Sequence, residues 1–221
     1  MMYIKNLFLS LKEVFILMIC QYVILIASLL VLGINKSLVW GTILLSFFEL
    51  IFILFIFRKK RFRYKNDYYF PYLLLGISLA VIYNMLLFRL GIVFEPVENI
   101  NIMLVIISSG IIGPIFEEIL FRYFLLNNLN KFNSPIISIV LSGIIFGLFH
   151  NNLITAIYAT ILGIINAYLY VRKNNLLIPI LVHISANIMT QLLIGYNLLI
   201  FILGCVLFLL SILIIKIKKE I

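Results

Sequence analysis

Residues 101–126 read NIMLVIISSGIIGPIFEEILFRYFLL, an apolar run long enough to cross a bilayer that nevertheless carries Glu117, Glu118 and Arg122 near its middle. A helix needs about 20 mostly apolar residues to span the hydrocarbon core, and an ionisable group inside such a span marks a functional site by default. Two further pieces repeat the pattern: Phe146 with His150, and His183 with Asn187, again inside apolar sequence. His150 and His183 are the only two histidines in the chain. Carboxylates and imidazoles placed this way point to hydrolytic chemistry inside a membrane.

The rest of the chain supports that setting. Of 221 residues, 65% are hydrophobic and 11% charged, against about 25% charged in ordinary soluble domains. No segments of alternating polarity suggest an outer-membrane barrel. The fold class expected is all-α: one polytopic membrane bundle of about eight transmembrane helices. The spans are read as 14–34, 38–57, 70–90, 101–126, 135–150, 153–171, 176–194 and 198–215. The whole chain, 1–221, is expected to be one domain, with three N-terminal spans in 1–100, a core in 101–195, and a last span with a basic tail in 196–221.

Charge sets the orientation. Lys5 and Lys12 precede the first span, and Arg58, Lys59, Lys60, Arg61, Arg63 and Lys65 follow the second. Lys131, then Arg172 and Lys173, then Lys216, Lys218 and Lys219 follow the fourth, sixth and eighth. Alternating spans bring all of these to one side, while Lys36, Glu95 and Glu98 fall on the other. The positive-inside rule then places both termini in the cytoplasm of a multi-pass cell-membrane protein. The net charge of +9 reads as attraction to anionic lipid rather than as a nucleic-acid footprint. The expected partners are therefore membrane lipid and a peptide or protein substrate, with no nucleic acid. Cys20 and Cys205 read as small buried hydrophobes, and the first apolar run, without a small-residue cleavage signal, as a retained span.

Helical geometry divides the work between the two carboxylates. Glu118 and Arg122 stand at i and i+4 and share a face, which suits an ion pair. Glu117 is turned about 100° away and is left as the free general base. Pro114 removes an amide donor and should kink or restart the helix just before them. Ser134 and Pro135 read as the cap and first residue of the span that ends in Phe146 and His150. His183 and Asn187, also at i and i+4, aim an imidazole and an amide in one direction. Together these groups could bind water, polarise a carbonyl and stabilise an oxyanion. Two histidines and a glutamate (His150, His183, Glu117) are also a common zinc set. No H-E-x-x-H helix accompanies them, and metal-free activation of water is the reading preferred. At about 1.5 Å per residue the three groups come out at different depths, so they meet only through tilt, a shift at Pro114 or different span ends. Glu49, Arg89, Gln21, Asn84, Asn166 and Gln191 are given no role beyond pairing or bonding between helices.

At these positions the chain resembles the CPBP family, the CAAX-protease and bacteriocin-processing membrane enzymes also called the Abi family. That family's signature is E-E-x-x-x-R, F-x-x-x-H and H-x-x-x-N or D, and all three parts occur here in order. The wording around them is similar too, as in Ser142–Gly147 and Leu177–His183. The resemblance covers roughly 101–195, with Tyr123 standing where the family very often has Gly. It implies an intramembrane endopeptidase in which Glu117 activates water, His150 exchanges a proton, and His183 and Asn187 stabilise the oxyanion. Glu118, Arg122 and Phe146 then support the site. Within the family, substrates include prenylated CAAX tails and precursors of signalling peptides or bacteriocins. The Ile-, Asn-, Lys-, Phe- and Tyr-rich composition suits an AT-rich bacterial genome and favours peptide processing or bacteriocin immunity. A non-catalytic immunity or scaffold protein that keeps the fold is the alternative, and a small proton-coupled carrier a third.

Overall fold

The computed structural model describes residues 2–32, 34–60, 67–92, 101–150, 152–193 and 195–218, the side chains of 2–10, 13, 32 and 34–38 excepted. Among the described residues the chain forms helices only. They are α1 (Met2–Leu32), α2 (Ile34–Lys59), α3 (Phe70–Arg89), α4 (Ile102–Leu129), α5 (Pro135–Leu148), α6 (Leu153–Lys173), α7 (Leu177–Leu192) and α8 (Leu198–Ile217). This is the polytopic helical bundle the sequence predicts, with one refinement. Six of these helices are long and apolar enough to span a membrane, whereas α5 and α7 are short, at 14 and 16 residues. At about 1.5 Å per residue they reach roughly 21 and 24 Å, less than the roughly 30 Å hydrocarbon core.

Local chemistry explains where the helices begin and end. Ser134 caps α5 by accepting the Ile137 amide, with Pro135 in the first turn. Asn152 caps α6 by accepting the Thr155 amide at 2.8 Å. Asn174 ends α6 in the left-handed conformation at φ 50°, which Asn tolerates better than most residues. The next helix therefore starts inside the protein: Asn175 and Leu176 are only 1% and 4% exposed.

Helix α4 lies at the centre and packs against α1, α2, α5, α6 and α7, while α3 packs on α7 and α8. Phe116, Ile119, Leu120, Phe121, Leu125 and Leu126 on α4 are all at most 1% exposed. Helix α5 crosses α6 closely, where Gly143 backs onto Ile164 and Gly147 onto Ala156 and Thr160. Glycines four apart let two backbones approach in this way.

Basic residues gather at one end. Lys173, at the end of α6, lies 3.8 Å from Asp67, just before α3. Lys218, just past α8, sits over the Tyr68 ring. The start of α3 and the ends of α6 and α8 thus share one face of the bundle. Residues 61–66 and 93–100, with the charges expected in those loops, lie outside the described residues, as do Lys219 and the side chains of Lys5 and Lys36.

Of the kink or restart expected at Pro114, the structure shows a restart of α-helical bonding after a wide stretch. Over Ile106–Ile112 the helix widens to i→i+5 bonding, and the Gly113 amide donates to the Ser108 carbonyl. The next bond in that register would run from residue 114 to Ser109, and proline has no N–H to donate. Ordinary α-helical bonding resumes over Gly113–Glu118, and a second wide stretch follows over Ile119–Leu126. Such wide turns recur at functional sites. Here the first of them frees a carbonyl, and both carboxylates lie on the α-helical turn between the two.

Candidate active site

Glu118 is fully enclosed and fully used. Its Oε2 accepts from Arg122 Nε at 2.8 Å, and its Oε1 from Asn166 Nδ2 at 3.0 Å and His183 Nδ1 at 2.9 Å. Arg122, 0% exposed, reaches back with Nη2 at 3.4 Å and donates through Nη1 to Ser142 Oγ at 3.1 Å. The Ser142 hydroxyl in turn donates to the Phe121 carbonyl at 3.2 Å. A buried ion pair holds only when its remaining donors and acceptors are satisfied in this manner. The i, i+4 pairing expected from the sequence is therefore present. Its larger consequence is that it fixes His183.

Glu117 has the opposite surroundings. Its side chain is 35% exposed, and its Oε2 lies 3.7 Å from His183 Nε2, beyond hydrogen-bond distance. It borders two cavities, of about 220 and 310 Å³, that also share Phe146, His150 and Thr155. The smaller one includes His183 and Asn187. The structure thus brings Glu117, His150, His183 and Asn187 to one cavity, despite their different positions along their helices.

The histidine tautomers follow from their partners. A carboxylate oxygen only accepts, so His183 Nδ1 carries the proton shared with Glu118, and its Nε2 faces Glu117. His150 lies two residues past the end of α5, in a bend rather than in the helix. Its Nδ1 stands 3.1 Å from the Phe146 carbonyl. That carbonyl can only accept, so Nδ1 is the protonated nitrogen and Nε2 is left free. Phe146, 1% exposed, links the group. Its ring centroid is 5.0 Å from that of His150, 5.6 Å from that of His183 and 5.2 Å from the Arg122 guanidinium carbon.

Asn187 has a partner the sequence did not suggest. Its Nδ2 donates at 2.9 Å to the Ser109 carbonyl, the group that Pro114 leaves without a helical donor. The amide has a second N–H, which is what Asn187 can offer to the cavity. Asn166 and Ser142 are the site residues that sequence reasoning missed. Asn166 was assigned only to bonding between helices, yet it donates to Glu118 and to the Pro179 carbonyl at 3.3 Å. A lone amide midway along an apolar helix was its signal. Glu49 accepts from Gln21 at 2.6 Å rather than pairing with Arg89, and Asn84 donates to Thr190 on α7 at 3.1 Å. Among the described residues, no three His, Cys, Asp or Glu side chains gather closely enough to hold a cation.

These features define a polytopic membrane protein with a polar, enclosed glutamate–histidine site. A family model described as "Type II CAAX prenyl endopeptidase Rce1-like" matches residues 99–189, which contain all three motifs. The Bacillus subtilis protein named "Putative membrane peptidase YdiL" is 36% identical over 84 residues, 38% of this chain and 34% of that one. The chain thus spans about a third of that relative's length. No solved structure matches. On the motifs and these matches, residues 99–189 are similar to the CPBP family of membrane peptidases. The family match leaves α1–α3 and α8 outside it.

Proposed function

We propose that this protein is an intramembrane endopeptidase of the CAAX-protease type that cleaves a membrane-associated peptide by water activated at Glu117. One observation carries this reading: of two adjacent carboxylates, Glu118 is enclosed with its oxygens occupied, while Glu117 faces the cavity it shares with both histidines.

Glu117 takes a proton from water as the oxygen attacks the scissile carbonyl. A water oxygen about 2.8 Å from each partner can bridge the 3.7 Å between Glu117 Oε2 and His183 Nε2. The developing oxyanion is met by Nε2–H of His183 in its imidazolium form, which Glu118 at Nδ1 stabilises, and by the second N–H of Asn187. Donors placed in advance, in a site with little water, are worth far more than in bulk solvent. His150 Nε2, left with a free lone pair because Nδ1 donates to the Phe146 carbonyl, accepts the water's proton from Glu117 and passes it to the leaving amine, which returns both groups to their starting states. The same constellation suits processing of a peptide precursor and destruction of a toxic membrane peptide, as in bacteriocin immunity.

The test is hydrolysis of a membrane-inserted peptide by purified protein in liposomes. Glu117→Gln removes the base but keeps the shape and should abolish cleavage while the protein stays folded. If Glu117→Gln, His150→Ala and His183→Ala all retain full function in cells, the protein works by binding, as a non-catalytic immunity or scaffold protein would.

A further inference from the structure

The cavity that holds Glu117 and His183 continues into a wing with no part in the chemistry described above. Tyr83 on α3 and Tyr158 on α6 line it and stack face to face, with ring centroids 4.0 Å apart and an interplanar angle of 12°. Both phenol oxygens are enclosed, and neither makes a hydrogen bond. A polar side chain near the Tyr83 hydroxyl is that of Thr155. Enclosed hydroxyls without partners are rare in native proteins, and each one calls for an explanation, such as a water or a ligand.

Asn84, 6% exposed, lies beside them. Its amide protons go to the Ala80 carbonyl at 2.8 Å and Thr190 Oγ1 at 3.1 Å. What it can offer a ligand is therefore its carbonyl oxygen. Thr190 and Gln191 complete the polar rim, and Ala159 and Leu162 form apolar wall. Apart from the phenols, the ionisable groups lining this cavity are Glu117, His150 and His183. The wing thus offers two hydroxyl donors and an amide acceptor, all uncharged.

A peptide bond inside a helix is covered by its neighbours, so a membrane-inserted substrate must unwind locally to be cut. Unwinding exposes backbone N–H and C=O groups where lipid offers no partners, and each bare group is costly. We propose that Tyr83, Tyr158 and Asn84 form the subsite that receives this unwound stretch. The phenols donate to its peptide carbonyls and the Asn84 carbonyl accepts from a peptide N–H. The substrate is accordingly an uncharged, readily unwound segment of a membrane-inserted peptide. This assignment rests on the peptidase reading given under Proposed function.

The probe is a pool of synthetic apolar peptides about 22 residues long, enough to span a bilayer. Their central residues vary from all-Leu to Gly- and Ser-containing and to Lys-containing. Products are read by mass spectrometry after incubation with the chain in liposomes. Wild type should cut members with helix-weakening uncharged centres, spare those with a central Lys, and lose all cleavage on Glu117→Gln. On the best-cut peptide, Tyr158→Phe and Tyr83→Phe, which keep the stacked rings, should each raise KM roughly 3–10-fold, the span of one neutral hydrogen bond. An unchanged kcat would mark the loss as one of binding. Asn84→Leu should shift KM in the same direction, so the assignment does not hang on one variant. Cleavage lost on Glu117→Gln, with KM unchanged in all three variants or with only kcat reduced, overturns the subsite and leaves the peptidase reading standing. A pool left uncut by wild type, or still cut by Glu117→Gln, overturns the peptidase reading and the subsite with it.

Discussion

Replacing Glu118 by Gln should destabilise the protein far more than the same change at Glu117. At Glu118 the amide keeps one oxygen for the work of two and places an NH2 group among donors. Those donors are Arg122 at 2.8 Å, His183 at 2.9 Å and Asn166 at 3.0 Å. Arg122, 0% exposed, would lose its countercharge and at least one of its two bonds to residue 118, keeping Ser142 Oγ and the Phe146 ring face. Removing one partner of a buried pair costs about 3–5 kcal/mol, which lowers the unfolding midpoint of a chain this size by on the order of 10 °C. Glu117, 35% exposed and with its oxygen 3.7 Å from His183, should cost under about 1 kcal/mol when changed to Gln. Thermal unfolding in detergent, followed by circular dichroism, measures both. The double variant Glu118→Gln with Arg122→Met should recover part of the stability, since the stranded cation is gone. It should stay poorly active, because His183 loses the carboxylate that orients it. Equal midpoints for the two Gln variants, or full activity in the double variant, would refute this division between positioning and chemistry.

Other consequences are simpler to check. A Cβ at Gly147 would collide with Thr160 Oγ1 and lie 2.6 Å from the Ala156 carbonyl, so Gly147→Ala should cost about 1–3 kcal/mol and move Phe146 and His150, read as a lower melting point together with lower turnover. Asn187→Ala and His183→Ala should each reduce turnover about 10²–10³-fold with little change in KM, because the oxyanion exists only in the transition state; a change in KM alone contradicts that role. Treatment with a strong chelator should leave hydrolysis intact, and activity lost and then restored by zinc would replace the water mechanism with a Glu117–His150–His183 metal site. Reporter fusions after Lys65 and after Glu95 should read opposite faces of the membrane, cytoplasmic and external; the same face for both would break the alternating topology.

The sequence by itself determined the helical membrane class and the approximate course of the helices, and it singled out residues that the structure gathers around one cavity. Long apolar runs can satisfy their backbone in lipid only as helices or closed barrels, and ionisable groups are too costly there to occur by chance at such spacing. The i, i+4 pairing of Glu118 with Arg122 was legible because it is a property of one helix. What lay between helices was not. Asn166 and Ser142 read as ordinary packing groups, and only the convergence of α4, α5, α6 and α7 shows them completing the shell around Glu118 and Arg122. Likewise, Pro114 foretold a restart of the helix, but not that Asn187 on a neighbouring helix would donate to the carbonyl it frees. The meeting of His150 with His183 was hidden for the same reason. It depends on how two short helices, Pro135–Leu148 and Leu177–Leu192, pack around α4, and that placement is set by the neighbours rather than by their own residues.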